Sequence, residues 1–215
     1  MLDINRRLMS AARAGSEEEL KALLRDPGCD ALAQDAVGRT ALIWAAHYGH
    51  ETCIRLLLPA SDALARDKNG WTALMHATYG GNDSCVRLLL PASDTLGKSK
   101  GGMTALMSAV CGGNEDCVRL LLPASNALAA DDDGWTALMH AAGSGYESCV
   151  KILLPMSDVL AASKNGLSAS TLARERGLES LAQFIDAYAQ AQSERTSIEV
   201  SSGIQVPSRQ STPRV

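Results

Sequence analysis

Small and apolar residues recur along this chain in blocks that return every 32 residues between Gly38 and Gly166. Each block opens on a polar turn such as Asp67-Lys68-Asn69-Gly70, in which glycine can take a positive φ. Thr72 follows where a helix N-cap belongs, its hydroxyl able to accept a free backbone N–H. Ala73, Leu74, Ala77 and Thr78 keep helical spacing, and Gly80-Gly81 closes this first helix. A second helix is predicted from about Asp83 to Leu90, with Cys85, Val86, Leu88, Leu89 and Leu90 as its apolar members. Pro91 disfavours α geometry at Leu90 and sets the stop. Ala92–Lys98 then returns irregularly to the next turn.

Thr40, Thr72, Thr104 and Thr136 each open one four-residue word, Thr-Ala-Leu-Ile once and Thr-Ala-Leu-Met three times. Gly49, Gly81, Gly113 and Gly145 keep step, as do Cys53, Cys85, Cys117 and Cys149. A period of this size signals a stacked array whose units cannot bury their apolar faces alone. Function is then expected on a surface shared by several units. Turn, short helix, glycine turn, longer helix and return loop together resemble the ankyrin repeat. The likeness lies in Gly38-Arg39-Thr40-Ala41-Leu42, Ala45-Ala46, Gly49-His50 and Ile54-Arg55-Leu56-Leu57-Leu58, and returns at Gly70, Gly102 and Gly134. The resemblance implies an all-α solenoid of stacked helix-turn-helix units with hairpin tips. Two departures stand out. Ile43, Met75, Met107 and Met139 replace the family's usual histidine, so thioether packing is expected there. Ser61-Asp62-Ala63-Leu64 replaces its usual Gly-Ala-Asp-Val-Asn return, and side-chain modification at that asparagine is not expected.

The ends divide the chain further. Residues 1–34 read as an N-terminal capping repeat, 35–162 as four full repeats and 163–190 as a C-terminal capping repeat. The first cap carries Arg6, Arg7, Glu17, Glu18 and Glu19, and the last carries Arg174, Glu175 and Arg176 where inner repeats hold small residues. A second helix of the last unit is predicted to reach about Ala189. Residues 191–215, rich in Ser, Thr, Gln and Pro, are expected to be disordered, with Ser211 and Thr212 as candidate phosphorylation sites.

Charge narrows the partners. A net charge of −4 argues against nucleic acid or an anionic membrane. Met1–Ser10 has no apolar signal core, and no run approaches the 18 apolar residues of a membrane span. One cysteine per stacked unit leaves neighbours about 8–10 Å apart, too far for a disulfide, so reduced thiols and a cytoplasmic setting are expected (nuclear or cytoskeletal are the alternatives).

No constellation points to catalysis, and no cofactor or metal is expected. The periodic cysteines cannot converge on one zinc, His76 and His140 sit two units apart, and Asp131-Asp132-Asp133 reads as a solvated turn. No phosphate loop, His-Glu-x-x-His or Gly-x-Ser-x-Gly occurs. What varies between units is compact. The turn tips contribute Arg39, Lys68, Trp71, Lys100, Met103, Asp132, Asp133 and Trp135. The first helices contribute Trp44, His47, Tyr48, His76, Tyr79, Ser108, Cys111 and His140, and positions that vary there are expected to be semi-exposed. The ankyrin resemblance implies that these line one concave face that binds protein. All three Trp fall in the set, and Trp, Tyr and Arg are enriched at binding hot spots. Charge changes from Arg66, Lys68, Lys98 and Lys100 to Asp131–Asp133, fitting a partner with an acidic and a basic end. Gly80, Gly112 and Gly143 are expected to leave the groove open. The expected role is a monomeric, non-enzymatic adaptor or scaffold. A regulatory subunit of an enzyme such as a kinase, or a structural spacer, is the alternative.

Overall fold

A computed structural model describes residues 2–202. Twelve helices and no strand occur among the described residues, and they come in pairs. The pairs are α1 (Leu2–Ala14) with α2 (Glu17–Leu24), α3 (Ala41–Tyr48) with α4 (Glu51–Leu57), and α5 (Ala73–Tyr79) with α6 (Asp83–Leu89). They continue as α7 (Ala105–Cys111) with α8 (Glu115–Leu121), α9 (Ala137–Ser144) with α10 (Glu147–Leu153), and α11 (Ala169–Glu175) with α12 (Glu179–Ser202). The first helices stack on one another as one layer and the second helices from α2 to α10 as another.

Local chemistry starts and stops each helix. Thr40, Thr72, Thr104 and Thr136 Oγ1 accept from the N–H of Ile43, Met75, Met107 and Met139, each at 3.3 Å. Those four residues point inward and are 1% exposed, so the thioethers and isoleucine fill the core. Cys53, Cys85, Cys117 and Cys149 fill it too, at 1% exposure or less, and all six cysteines are free. Ala45, Ala77, Ala109 and Ala141 are fully buried, and their small size lets successive first helices approach closely. The expected stop at Pro91 takes a different form. Leu90–Ala92 winds on as a 3-10 turn, as do Leu58–Ala60, Leu122–Ala124 and Leu154–Met156. Each turn runs on directly from the preceding helix, and its proline offers no N–H to the carbonyl four residues back, so the α-helical ladder ends there.

The tips are two-residue-deep hairpins locked to each other. Lys68 N donates to Val37 O, Lys100 N to Asn69 O, Asp132 N to Gly101 O and Lys164 N to Asp133 O, at 3.0–3.1 Å. One backbone hydrogen bond per unit thus runs along the whole row of tips.

The C-terminal boundary departs from expectation. The periodicity places the end of the last unit near 190 and disorder beyond it, yet α12 continues to Ser202. Ala, Gln, Glu and Arg dominate Ala189–Arg195 and favour helix once α11 has nucleated its start. Ser211 and Thr212 lie outside the described residues.

Candidate functional site

The variable positions fall into two physically distinct groups. The first belongs to the turns. Asp67 Oδ1 accepts from Asn69 N and Trp71 N at 2.9 and 3.0 Å, closing the tip. Its Oδ2 meets His76 Nε2 at 3.0 Å, tying the tip to α5. Asp131 repeats this with Asp133 N, Trp135 N and His140 Nε2. Asp35 does the same with Val37 N, Arg39 N and Trp44 Nε1. Where serine stands in the turn, the helix carries no long donor. Ser99 Oγ accepts only from Met103 N, and Ser108 Oγ donates back to Thr104 O. Ser163 Oγ accepts from Leu167 N, and Leu172 occupies the helix position.

This pairing corrects two candidates. His76 and Ser108 are 5% and 0% exposed and cannot meet a partner. Their variation tracks the turn residue nine positions earlier, not a ligand. Trp44 and His140 are half-buried in the same role. The rule was written in the sequence as Asp35/Trp44, Asp67/His76, Ser99/Ser108 and Asp131/His140, but only the contact gives it meaning.

The second group is accessible. Tyr48 and Tyr79 are exposed, as are Lys68, Lys100, Asp132 and Asp133. Around Tyr48 the structure gathers a continuous aromatic cluster. Trp44 stacks on Tyr48 at 6.0 Å, and His47 meets both rings edge-on and reaches His76 at 5.3 Å. The Arg39 guanidinium lies 4.5 Å from the Trp44 ring centre, with Arg13 5.3 Å from it and 5.6 Å from that of Tyr48. Such cation–π contacts hold both the rings and the charges in place. Arg13 and Arg6 extend the cluster into an open 210 Å³ hollow with Trp44, Met9, Ser10 and Asp35.

The Trp file is partly structural. Trp71, Met103 and Trp135 are half-buried and pack against the core. Trp71 meets Tyr79 edge-on at 5.7 Å. A Cβ added to Gly143 would lie 3.3 Å from the Trp135 ring, so this glycine does not open a groove: the indole covers it. At Gly112 a Cβ would collide with Tyr79 O, so that glycine serves close backbone approach. Cys111 is half-buried, and burial, aided by Asp131, pushes its thiol up to about 11, well away from thiolate reactivity.

Cross-unit stitches were not legible beforehand. His50 Nε2 meets Arg13 O at 3.0 Å, Asn82 Nδ2 donates to Ala46 O, and Asn114 Nδ2 donates to Thr78 O and Tyr79 O. Each adds a bond to carbonyls in the last turn of the preceding first helix, two of which, Ala46 O and Thr78 O, also accept a glycine N–H at the C-cap. Arg66 and Lys98, read above as free charges, also bind backbone. Arg66 Nη1 donates to Gly70 O and Lys98 O, and Lys98 Nζ to Ala130 O. Lys68, Lys100 and Lys164 are exposed tip cations for which no such backbone bond is seen among the described residues, while Arg66 and Lys98 are exposed but held in place.

Burial pushes the His76 imidazole below its usual range, with Arg39 adding to the effect against the pull of Asp67. Burial would raise Asp67, but the N–H groups of Trp71 and Asn69 and the His76 ring hold it below the usual carboxylate range. At neutral pH His76 is then neutral and donates Nε2–H to an ionised Asp67. Both groups bind fewer protons folded than unfolded, so stability falls as pH drops, first through the free-histidine range near 6.5 and then through the carboxylate range near 3.8. Thermal unfolding followed from pH 7.5 to 5 should show a falling midpoint. In a variant carrying Asp67→Ser and His76→Ser the slope between pH 7 and 5 should be shallower.

The family model for ankyrin repeats (three copies) matches residues 8–98 and 93–165. The chain belongs to the ankyrin-repeat family. Several solved structures share its fold. An ankyrin repeat domain from Acinetobacter baumannii is 27% identical with a TM-score of 0.73, covering 85% of this chain and 97% of that one. The ankyrin repeat domain of Bcl-3, a member of the IκB protein family, is 27% identical with a TM-score of 0.74 and 85% coverage of each chain. A chain from the complex of a predatory endopeptidase of Bdellovibrio bacteriovorus with an immunity protein is 26% identical with a TM-score of 0.75, covering 84% of this chain and 97% of that one. No curated protein matches significantly. Ankyrin repeats are in general protein–protein interaction modules, and no helix among the described residues is long and apolar enough to cross a membrane.

Proposed function

We propose that this ankyrin-repeat chain is a non-enzymatic adaptor that binds a protein on the face made by its tips and first-helix layer. The observation that carries the reading is exposed Tyr48 and Tyr79 packed against half-buried Trp44 and Trp71, with Trp135 half-buried further along the tips. Basic Arg39, Lys68 and Lys100 flank it toward one end and acidic Asp132 and Asp133 toward the other. Rigid aromatics beside oriented charges are what a hot spot requires. The six free cysteines support an intracellular, reducing setting, and nothing in the argument needs more than one copy of the chain.

A second reading has one observation in its favour. A similar chain comes from a complex between an endopeptidase and an immunity protein, which supports a regulatory subunit that acts on an enzyme. Both readings use the same face.

The test is capture from a native lysate by the full chain beside a variant with Tyr48→Ala, Tyr79→Ala, Lys68→Glu and Lys100→Glu. These side chains are about half exposed or more, so the variant should keep its circular dichroism spectrum, with a melting temperature lowered only by the lost ring contacts. A specific partner that is captured by the native chain and lost by the variant is the expected result. Equal capture by a folded variant would place binding elsewhere and sink the reading.

A further inference from the structure

One apolar feature lies apart from the tips. Leu32, Leu64, Leu96, Leu128 and Leu160 are 55%, 51%, 60%, 60% and 78% exposed. They hold one position in five successive return loops, and from Leu8 to Leu181 no other leucine is exposed. Scattered exposed leucines need no explanation, but a file locked to the repeat does.

The loops are built to present them. Each leucine N–H donates to a side-chain oxygen two residues earlier: Asp30, Asp62, Asp94, Asn126 and Asp158 Oδ1, at 2.8–3.0 Å. This turn fixes the backbone. The intervening residue goes inward, with Ala31, Ala63, Ala127 and Val159 only 6–8% exposed, so the leucine must face out. Alternation of this kind is a property of the loop, and the outward position is the one where the family's usual return carries asparagine.

Spacing and charge say what fits there. Helices packed in a layer lie about 8–10 Å apart, so the leucines recur at about that interval over about 40 Å. An α-helix rises about 10.5 Å per seven residues, so a helix laid along the file can offer one residue to each leucine. Its face drifts only about 20° per heptad. Beside the leucines run four exposed carboxylates, Asp30, Asp62, Asp94 and Asp158. One oxygen of each is engaged in its turn, and the other has no hydrogen bond within the described residues. The neighbouring cations Arg66 and Lys98 are tied to backbone carbonyls of the stack but stay exposed and charged, and Arg66 Nη2 and Asp94 Oδ2 both lie against Gly97, so the row is least compensated at Asp30, Asp62 and Asp158. A second copy of the chain fits less well. Pairing two files would set carboxylate rows against each other, whereas a basic helix would set opposite charges beside them.

We propose that this leucine file is a docking ridge for a basic amphipathic helix of a partner protein, with apolar residues at heptad spacing flanked by Lys or Arg. The ridge is made of residues other than Tyr48, Tyr79, Lys68 and Lys100, so a variant can remove either surface without altering the other.

The test uses the full chain and a fluorescein-labelled synthetic peptide of about four heptads, with leucine at the heptad positions and lysine beside them. Two control peptides carry the same leucines at every fifth residue, or glutamate for lysine. Fluorescence anisotropy should show saturable binding of the basic heptad peptide and at least tenfold weaker binding of both controls. A variant with Leu64→Ser, Leu96→Ser and Leu128→Ser, checked by circular dichroism, should bind at least tenfold more weakly. An Asp62→Asn and Asp94→Asn variant should bind severalfold more weakly and lose salt dependence, which keeps the test alive if the leucine variant fails to fold. Absence of binding to the native chain, or equal binding of the off-register peptide, overturns the proposal. So does a native chain that sediments as a dimer, or floats with phosphatidylcholine vesicles, only while the leucines are present, because the file is then covered by a second copy or by lipid.

Discussion

Gly102→Ala is expected to destabilise the array by about 2–4 kcal/mol, or about 5–10 °C in melting temperature for a chain of this length. Gly102 has φ +78°, which an L side chain enters at a penalty of about 1–2 kcal/mol. Its added Cβ would stand 2.5 Å from Asp132 N and 2.8 Å from Asp131 C. Those atoms belong to the backbone of the next tip, so no flexible side chain can yield. Relief requires moving the tip that donates Asp132 N to Gly101 O, at the loss of about 1 kcal/mol more. The chain supplies its own control. Gly166 has φ +76° but nothing within 4 Å of the added Cβ, so Gly166→Ala should show the φ penalty alone. Urea unfolding by circular dichroism measures both. A stack with nearest-neighbour coupling should also unfold less cooperatively in the Gly102 variant, with a smaller denaturant slope. Equal losses at the two glycines would show that the tip ladder carries no stability.

Asp67→Ser is expected to cost about 2–3 kcal/mol, because it leaves the buried His76 ring without its acceptor and loosens the tip. His76→Ser should cost about as much, through the lost contacts with Trp71 and His47 and the lost hydrogen bond to Asp67 Oδ2, which keeps only Arg39 Nε at 3.7 Å. The two together should fall well short of the sum, with a coupling of about 1–2 kcal/mol. The third repeat is the template: Ser99 and Ser108 stand there, both buried, each satisfied by local backbone. A full double-mutant cycle by urea unfolding decides the matter. Strict additivity would mean that turn and helix residues vary independently, and His76 and Ser108 would then return as candidates for another role.

How much of this could be read along the chain depends on the range of the interaction. Helix starts are local: a threonine three residues ahead of an N–H can cap it wherever the unit sits, so Thr40, Thr72, Thr104 and Thr136 were legible. So were the buried methionines and cysteines, because a position repeated without change in a stack is one that neighbours constrain. The candidate site was legible only in part. Variation was read as exposure, which holds for Tyr48, Tyr79, Lys68 and Lys100 and fails for His76 and Ser108. Variation can also follow a partner inside the same unit, and a nine-residue separation across a turn does not announce that contact. Arg66 and Lys98 were read by charge, but their reach to the next unit's carbonyls depends on how far apart two units settle.

By itself, the sequence determined the number of units, their paired helices, the residues that cap them and the apolar set that must be buried, since all of these follow from period, propensity and hydrophobicity. Only the tertiary structure decided which polar side chains are consumed in holding units together, that Trp135 covers Gly143, and that one leucine per loop faces water. The first depends on distances between segments about 32 residues apart, and the other two on how a turn or loop folds back within one unit, and none is set by any residue's own preference.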